Sequence, residues 1–281
     1  MAHVSPVGAV LKQWRTYRRM SQLDLAAHAE ISTRHLSCVE TGKSRASPEM
    51  LLVLASALEM PLEERNRLLQ AGGYAPAYPN SDVSPASGEV DRALRVILDG
   101  VDPNPTLVVN SRWDLVRLNR GAATLFSAVS PGFGDLLASV RGTAPVSVLA
   151  LPPLNLMHVM LNDPGVKRAL LDWEDVVAVT VDRLHREAAA YPGPDGPAET
   201  LRACLAAPDI PNRLRRPELA HPPRAFVQLR FSVPTASRSL AFFTTLSTLG
   251  TTIDVAASRL MIETYFPADE FTRDWLSEHV E

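Results

Sequence analysis

The chain has 281 residues, 46% of them hydrophobic and 21% charged, so it is globular and long enough for two domains. No apolar run reaches membrane-spanning length and the N-terminus, MAHVSPVG, lacks the apolar core of a signal peptide, so a cytoplasmic location is expected. The formal net charge is −3 and unevenly spread, because residues 1–80 hold nine Lys and Arg against seven Asp and Glu, a local +2 that leaves −5 for the rest.

Residues 7–19, VGAVLKQWRTYRR, predict an amphipathic first helix with Val10, Leu11 and Trp14 on one side and Arg15, Arg18 and Arg19 on the other. Ser21 can cap a second helix, with Gln22 in its first turn beside free backbone N–H groups that suit a phosphate. Leu25 and Ala26 face inward. Ser32 then caps a third helix whose buried positions are Leu36 and Val39. Thr33, Arg34, His35, Ser37 and Cys38 are left on the other side, and small polar groups with one Arg suit the floor of a major groove. Gly42 stops that helix, and Lys43 and Arg45 follow where they would meet the DNA backbone. The turn reads Ala29-Glu30-Ile31 where Gly is usual, so Glu30 must accept whatever backbone angle the turn requires. Ser47 and Pro48 open a fourth helix, and Pro61 a fifth that runs to Ala71 before Gly72 and Gly73.

Five short helices of this kind make an all-α, phage-repressor-like domain over residues 1–73. The placing of Gln22, Ser32, Glu40 and Gly42 resembles the xenobiotic-response-element (XRE) repressor family, which implies a helix-turn-helix that binds a double-stranded DNA operator. A basic footprint of only +2 favours a homodimer, since two half-sites double the phosphate contacts.

Residues 74–88, YAPAYPNSDVSPASG, read as a linker that tethers without packing. Beyond it, 89–101 predicts a helix with Val90, Ala93, Leu94 and Ile97 on one face. TLVVN, the turn SRWD and LVRLN predict a hairpin, followed by a helix that Asn119 caps and Arg120 opens. NLMHVMLND, WEDVVAVTVDRLHREAAAY and ETLRACLAA read as helices, and RAFVQLRFSVP, SRSLAFFTTLSTLG and RLMIETYFP as three more strands. The second domain, 89–281, is therefore α+β with an antiparallel sheet. Its opening hairpin and helix resemble a PAS sensor domain.

GYAPAY, LVVNSRWDLVRLNRGAATLF, LNLMHVMLNDPGVKRALLDWEDV and TTLSTLGTTIDVAASRLMIETYFPAD together resemble the MmyB-like transcription regulators over nearly the whole chain. The resemblance implies a PAS-like domain that binds a long-chain fatty acid or similar lipid. Members often carry His where this chain has Asn162.

Such a ligand needs an apolar tunnel and a cation or donor set for its head group. Leu107, Phe126, Met157, Met160, Phe231 and Phe242 are the expected walls, and the methionines adapt to flexible ligands. Val109, Leu115, Leu118, Leu156 and Leu246 are further wall candidates. Head-group candidates are His158 and Arg230. Strand alternation sets Leu229 and Phe231 on one face and Arg230 on the other, so Arg230 serves only if that polar face turns inward.

Enzyme readings find no support. The chain has no GxSxG elbow, P-loop, HExxH or glycine-rich dinucleotide fingerprint, and 192–197 is a loop. Glu174 and Asp175 are helix neighbours that point apart. Cys38 and Cys204 give neither metal spacing nor a disulfide framework; no cofactor is expected to be required, and the resemblance allows a bound fatty acid or similar lipid. Two readings remain: a ligand-responsive DNA-binding regulator, or a constitutive DNA-binding protein whose second domain only dimerises or recruits a protein partner.

Overall fold

The computed structural model describes residues 5–80, 88–130, 132, 134–135, 154–190, 197–207, 210, 212–215, 228–250 and 254–280. Residues 81–87 and 224–227, in the expected linker and the start of the first RAFVQ strand, and most of the 192–197 loop lie outside them. The chain divides into two compact units, residues 1–81 with 251–258, and 82–250 with 259–281.

The first unit holds α1 (Pro6–Tyr17), α2 (Gln22–His28), α3 (Thr33–Glu40), α4 (Pro48–Ala57) and α5 (Leu62–Ala71). Ser5, Ser21, Ser32 and Ser47 each accept a backbone N–H at a helix start, worth about 1 kcal/mol apiece. Three helices end on non-glycine residues in the left-handed region: Arg19 (φ 55°), Glu30 (φ 53°) and Glu59 (φ 48°). In each case the next residue, Met20, Ile31 or Met60, sends its N–H back to a carbonyl of the last helical turn to close the turn and then packs on or within the core. Leu11, Trp14, Leu25, Leu36, Leu54 and Leu68 form that core. Gly8 is where α1 crosses α3: a Cβ there would stand 1.9 Å from the Glu40 carbonyl oxygen.

Residues 74–80 are packed rather than tethered. The Tyr74 hydroxyl donates to the Ala46 carbonyl (2.9 Å), and the Asn66 side chain accepts from Ala77 and Tyr78 N–H while donating to the Tyr78 carbonyl. One amide thus satisfies three backbone groups, which no composition rule for linkers foresees. The stretch 251–258, expected within the second domain, also belongs to this unit; its helix lies against α5 and Val255 N–H donates to Pro79 O (2.9 Å).

The second unit opens with α6 (Glu89–Val101), β1 (Thr106–Val109), β2 (Leu115–Leu118) and α7 (Arg120–Val129). It continues with α8 (Leu156–Asn162), α9 (Pro164–Ala169), α10 (Trp173–Ala190), α11 (Pro197–Ala206), β3 (Leu229–Phe231) and β4 (Leu240–Ser247). The four-residue helix α12 (Val255–Ser258) of the first unit intervenes before β5 (Met261–Pro267) and α13 (Glu270–His279) close the chain. The sheet is antiparallel throughout, in the order β2-β1-β5-β4-β3. An all-α unit and a PAS-like α+β unit are the expected architecture.

The two faces of the sheet divide by strand alternation. Val108 and Ile262 meet Leu94 and Leu98 of α6 on one face. Leu107, Phe231, Phe242 and Tyr265 face the helices α7 to α11 on the other. Asn119 fastens the hairpin to α7: its Oδ1 accepts from Thr106 N–H (2.8 Å) and caps Ala122 (2.9 Å), while its Nδ2 donates to the Asn104 carbonyl (2.8 Å).

Candidate functional site

Each unit carries one candidate site. In the first, the Ser32 cap sets the start of α3, and Leu36 and Val39 bury its inner face. Arg34 is exposed, and Thr33, His35, Ser37 and Cys38 are half-buried along the rest of the helix. Lys43 is exposed just beyond Gly42, whose φ of 73° ends the helix as expected. The Thr41 hydroxyl, next to this face, turns back onto the Ser37 carbonyl (2.7 Å).

Two expected phosphate contacts are held elsewhere. The Gln22 amide donates to Glu40 Oε2 (2.6 Å), so its side chain points into the unit and only its backbone N–H stays at the helix start. The Arg45 guanidinium lies 5.2 Å over the Tyr74 ring and donates to the Gly72 carbonyl (3.4 Å). Glu40, noted in the sequence only for its spacing, is 6% exposed and also binds Arg15 through both oxygens (2.8 and 3.1 Å) while Arg15 donates to the Met20 carbonyl. One carboxylate therefore ties α1 and α2 to the end of α3, and the Gln22–Glu40 pair is a structural clamp behind the outer face of α3.

In the second unit a cavity of about 370 Å³ lies between the sheet and the helices. Leu107, Phe126, Met157, Met160 and Phe231 line it as expected, with Leu156 and Leu246. Phe242 does not reach it; fully buried, it packs its ring against Phe231 and Tyr265 behind the wall. Val109, Leu115 and Leu118 are likewise core residues outside the lining.

Both expected head-group residues are misplaced. His158 is exposed on the far side of α8, its ring 3.2 Å from the amide of Asn162, which also lies off the cavity. Arg230 is exposed and forms a two-pronged pair with Asp172 (2.7 and 2.8 Å), because the apolar face of β3, Leu229 and Phe231, is the one that turns inward.

The cavity's polar groups come instead from Arg183 of α10, Thr244 of β4, and Glu263 and Tyr265 of β5, with the hydroxyl-bearing Ser130 and Thr180 also in the lining. Arg183 is held in place by Glu187 (2.5 Å) and by Met261 Sδ (3.3 Å), and its guanidinium lies 5.0 Å over the Trp113 ring. Burial pushes the Glu263 carboxyl up to about 7, against the opposing pull of the Arg183 charge and hydrogen bonds from Tyr265 and Thr244. Burial and the neighbouring Glu263 in turn push the Tyr265 phenol well up. In the sequence these residues show only as periodicity, which core residues share: Val176, Val179, Thr180 and Arg183 lie on one stripe of α10, and Met261, Glu263 and Tyr265 on one face of β5. Cys204, elsewhere in the core, is a thiol that burial pushes up to about 11, a poor nucleophile.

A unit with a capped helix α3 whose outer face is polar, and a second unit with an apolar cavity, have counterparts among known families. Residues 90–278, more than half of the chain, match the family described as MmyB-like transcription regulator ligand binding domain. The chain belongs to the MmyB-like transcription regulators. Residues 6–68 of the regulator match a helix-turn-helix domain, so α2 and α3 stand in a DNA-binding module and the cavity in a ligand-binding one. Both families describe regulators rather than enzymes. No curated protein matches the regulator. Among its described residues no helix is long and apolar enough to cross a membrane, and no cluster of three or more His, Cys, Asp or Glu could hold a metal.

Proposed function

We propose that this regulator reads a near-palindromic operator as a homodimer in the cytoplasm and changes its DNA binding when a mainly apolar ligand, a fatty acid or related lipid, enters the cavity of its second unit. The cavity carries the reading: its walls are apolar from Leu107 to Leu246, with polar groups confined to Arg183, Thr244, Glu263 and Tyr265 and a few hydroxyls. Its volume falls in the range of small-molecule sites. Each buried methylene of an alkyl tail contributes about 0.8 kcal/mol, so a tail can supply most of the affinity. A domain serving only dimerisation has no use for such a space, and packing it solid would be more stable.

Native mass spectrometry of the purified protein, with extraction of any bound lipid, tests this directly. A co-purifying or added alkyl ligand at one per chain, lost in Met157→Trp, supports the reading. Failure of every alkyl acid, alcohol and ester to bind the wild-type protein, or unchanged operator affinity with the ligand bound, overturns it.

A further inference from the structure

We propose that Glu263, with Arg183, Tyr265 and Thr244, is the head-group site of the cavity, and that it holds an acidic ligand by sharing one proton between the ligand's carboxyl group and that of Glu263. The proposal rests on the apolar-ligand reading above and specifies how the polar end of that site works.

Charge balance decides what this end of the cavity can accept. The charged and titratable groups facing Glu263 come from each element packed around it. Helix α10 brings Arg183 and its partner Glu187; β5 brings Tyr265; β4 brings the neutral Thr244 with Leu246; β1 brings only Leu107, directly opposite in register. Among the described residues lining the cavity Arg183 is the one cation, and Glu187 already balances it at 2.5 Å. An incoming carboxylate beside an ionised Glu263 would therefore place two uncompensated negative charges in an apolar cavity. Two carboxylates that share such a site cannot both ionise, and one keeps a proton.

Glu263 is the group prepared to keep it. It is buried, and its carboxyl already stands near 7, outside the ordinary carboxylate range. As a neutral acid it becomes a hydrogen-bond donor, which a ligand carboxylate can accept. The Tyr265 and Thr244 hydroxyls, which donate to Glu263, are positioned to donate to the ligand instead. Below about pH 7 the proton is already on Glu263; above it, binding must take one from solution. An alcohol of the same length carries no charge and needs no proton.

Isothermal titration of the full-length protein with dodecanoate and with dodecanol, from pH 6 to pH 8.5 in two buffers of different ionisation heat, decides it. The expected result for dodecanoate is an affinity that is nearly flat below pH 7 and falls by up to about tenfold per pH unit above it, with uptake of one proton per ligand at the high end. Dodecanol affinity stays within a few-fold throughout. In Glu263→Gln, where the amide remains a donor, dodecanoate still binds and the pH dependence disappears. Dodecanoate binding that is independent of pH, or equally dependent in Glu263→Gln, overturns the head-group site and leaves the apolar-ligand reading standing. Failure of both probes at every pH overturns the head-group site, and failure of every other alkyl acid, alcohol and ester as well overturns the ligand reading with it.

Discussion

Glu30 holds a left-handed backbone angle, φ 53°, at the turn between α2 and α3, where a side chain costs about 1 to 3 kcal/mol that glycine does not. Part of any relief is returned as the larger entropy of an unfolded glycine. Glu30→Gly should therefore stabilise the helical unit by about 1 kcal/mol in urea unfolding. An unchanged or lower midpoint would show the angle to be unstrained. Glu40 works the other way. Its carboxylate binds Arg15, a side chain only 13% exposed, and removing it strands a nearly buried cation. Glu40→Ala should cost about 3 kcal/mol and loosen α1, α2 and α3 together. Glu263 gives a pH signature. Its folded value near 7 lies above the ordinary 4.5, so the folded chain retains a proton that the unfolded chain releases. Stability should fall as pH rises from about 4.5 to about 7, by about 3 kcal/mol from this group, and level off above. Ligand-free Glu263→Gln should lose that slope when unfolding is followed from about pH 4.5 to about pH 8; retention of it assigns the slope to other groups.

At the scale of elements, α3 presents one exposed arginine and the turn after it one exposed lysine. Arg34→Ala is expected to weaken binding to a selected operator by about 1 to 3 kcal/mol while leaving scrambled DNA nearly unaffected, as for a base contact. Lys43→Ala should weaken both equally. Parallel titrations on the two duplexes check the pair, and equal losses for Arg34→Ala would move it from base to phosphate contact. Elements also differ in how far their sequences announce them. Helix 89–101, the hairpin and the Asn119 cap follow from local signals, period and turn chemistry, and they stand where those signals put them. The alternation of β3 sets Leu229 and Phe231 together, and both line the cavity. Arg183 carries no such local mark, because a helical stripe with valines reads as ordinary core until the sheet facing it is known. Helix α13 is short and its pattern faint, although Asp269 caps it and Trp275 and Leu276 bury its inner face. Residues 74–80 read as a tether because the signal against that lies in Asn66, a single amide in another helix.

For the whole molecule, a reading unit with a net charge of +2 over residues 1–80 offers few phosphate contacts of its own. Two half-sites about 10 base pairs apart combine their free energies. Sedimentation of the full-length protein should give a dimer, binding one palindromic duplex with two chains and losing most of its affinity when one half-site is scrambled. One chain per duplex with undiminished affinity would remove the dimer from the proposal.

The crossing of the chain between β4 and β5 bears on how the protein can be taken apart. The first unit is assembled from two stretches of sequence, 1–81 and 251–258, because α12 and Val255's bond to Pro79 belong to it although they lie far beyond its main body. Such a unit is topologically discontinuous: a cut after residue 81 leaves its main body without 251–258, and any single cut that keeps both stretches together also keeps 82–250 of the second unit. A chimera that grafts this reader onto another sensor must carry both stretches, or accept a helix α5 stripped of its late-arriving neighbour.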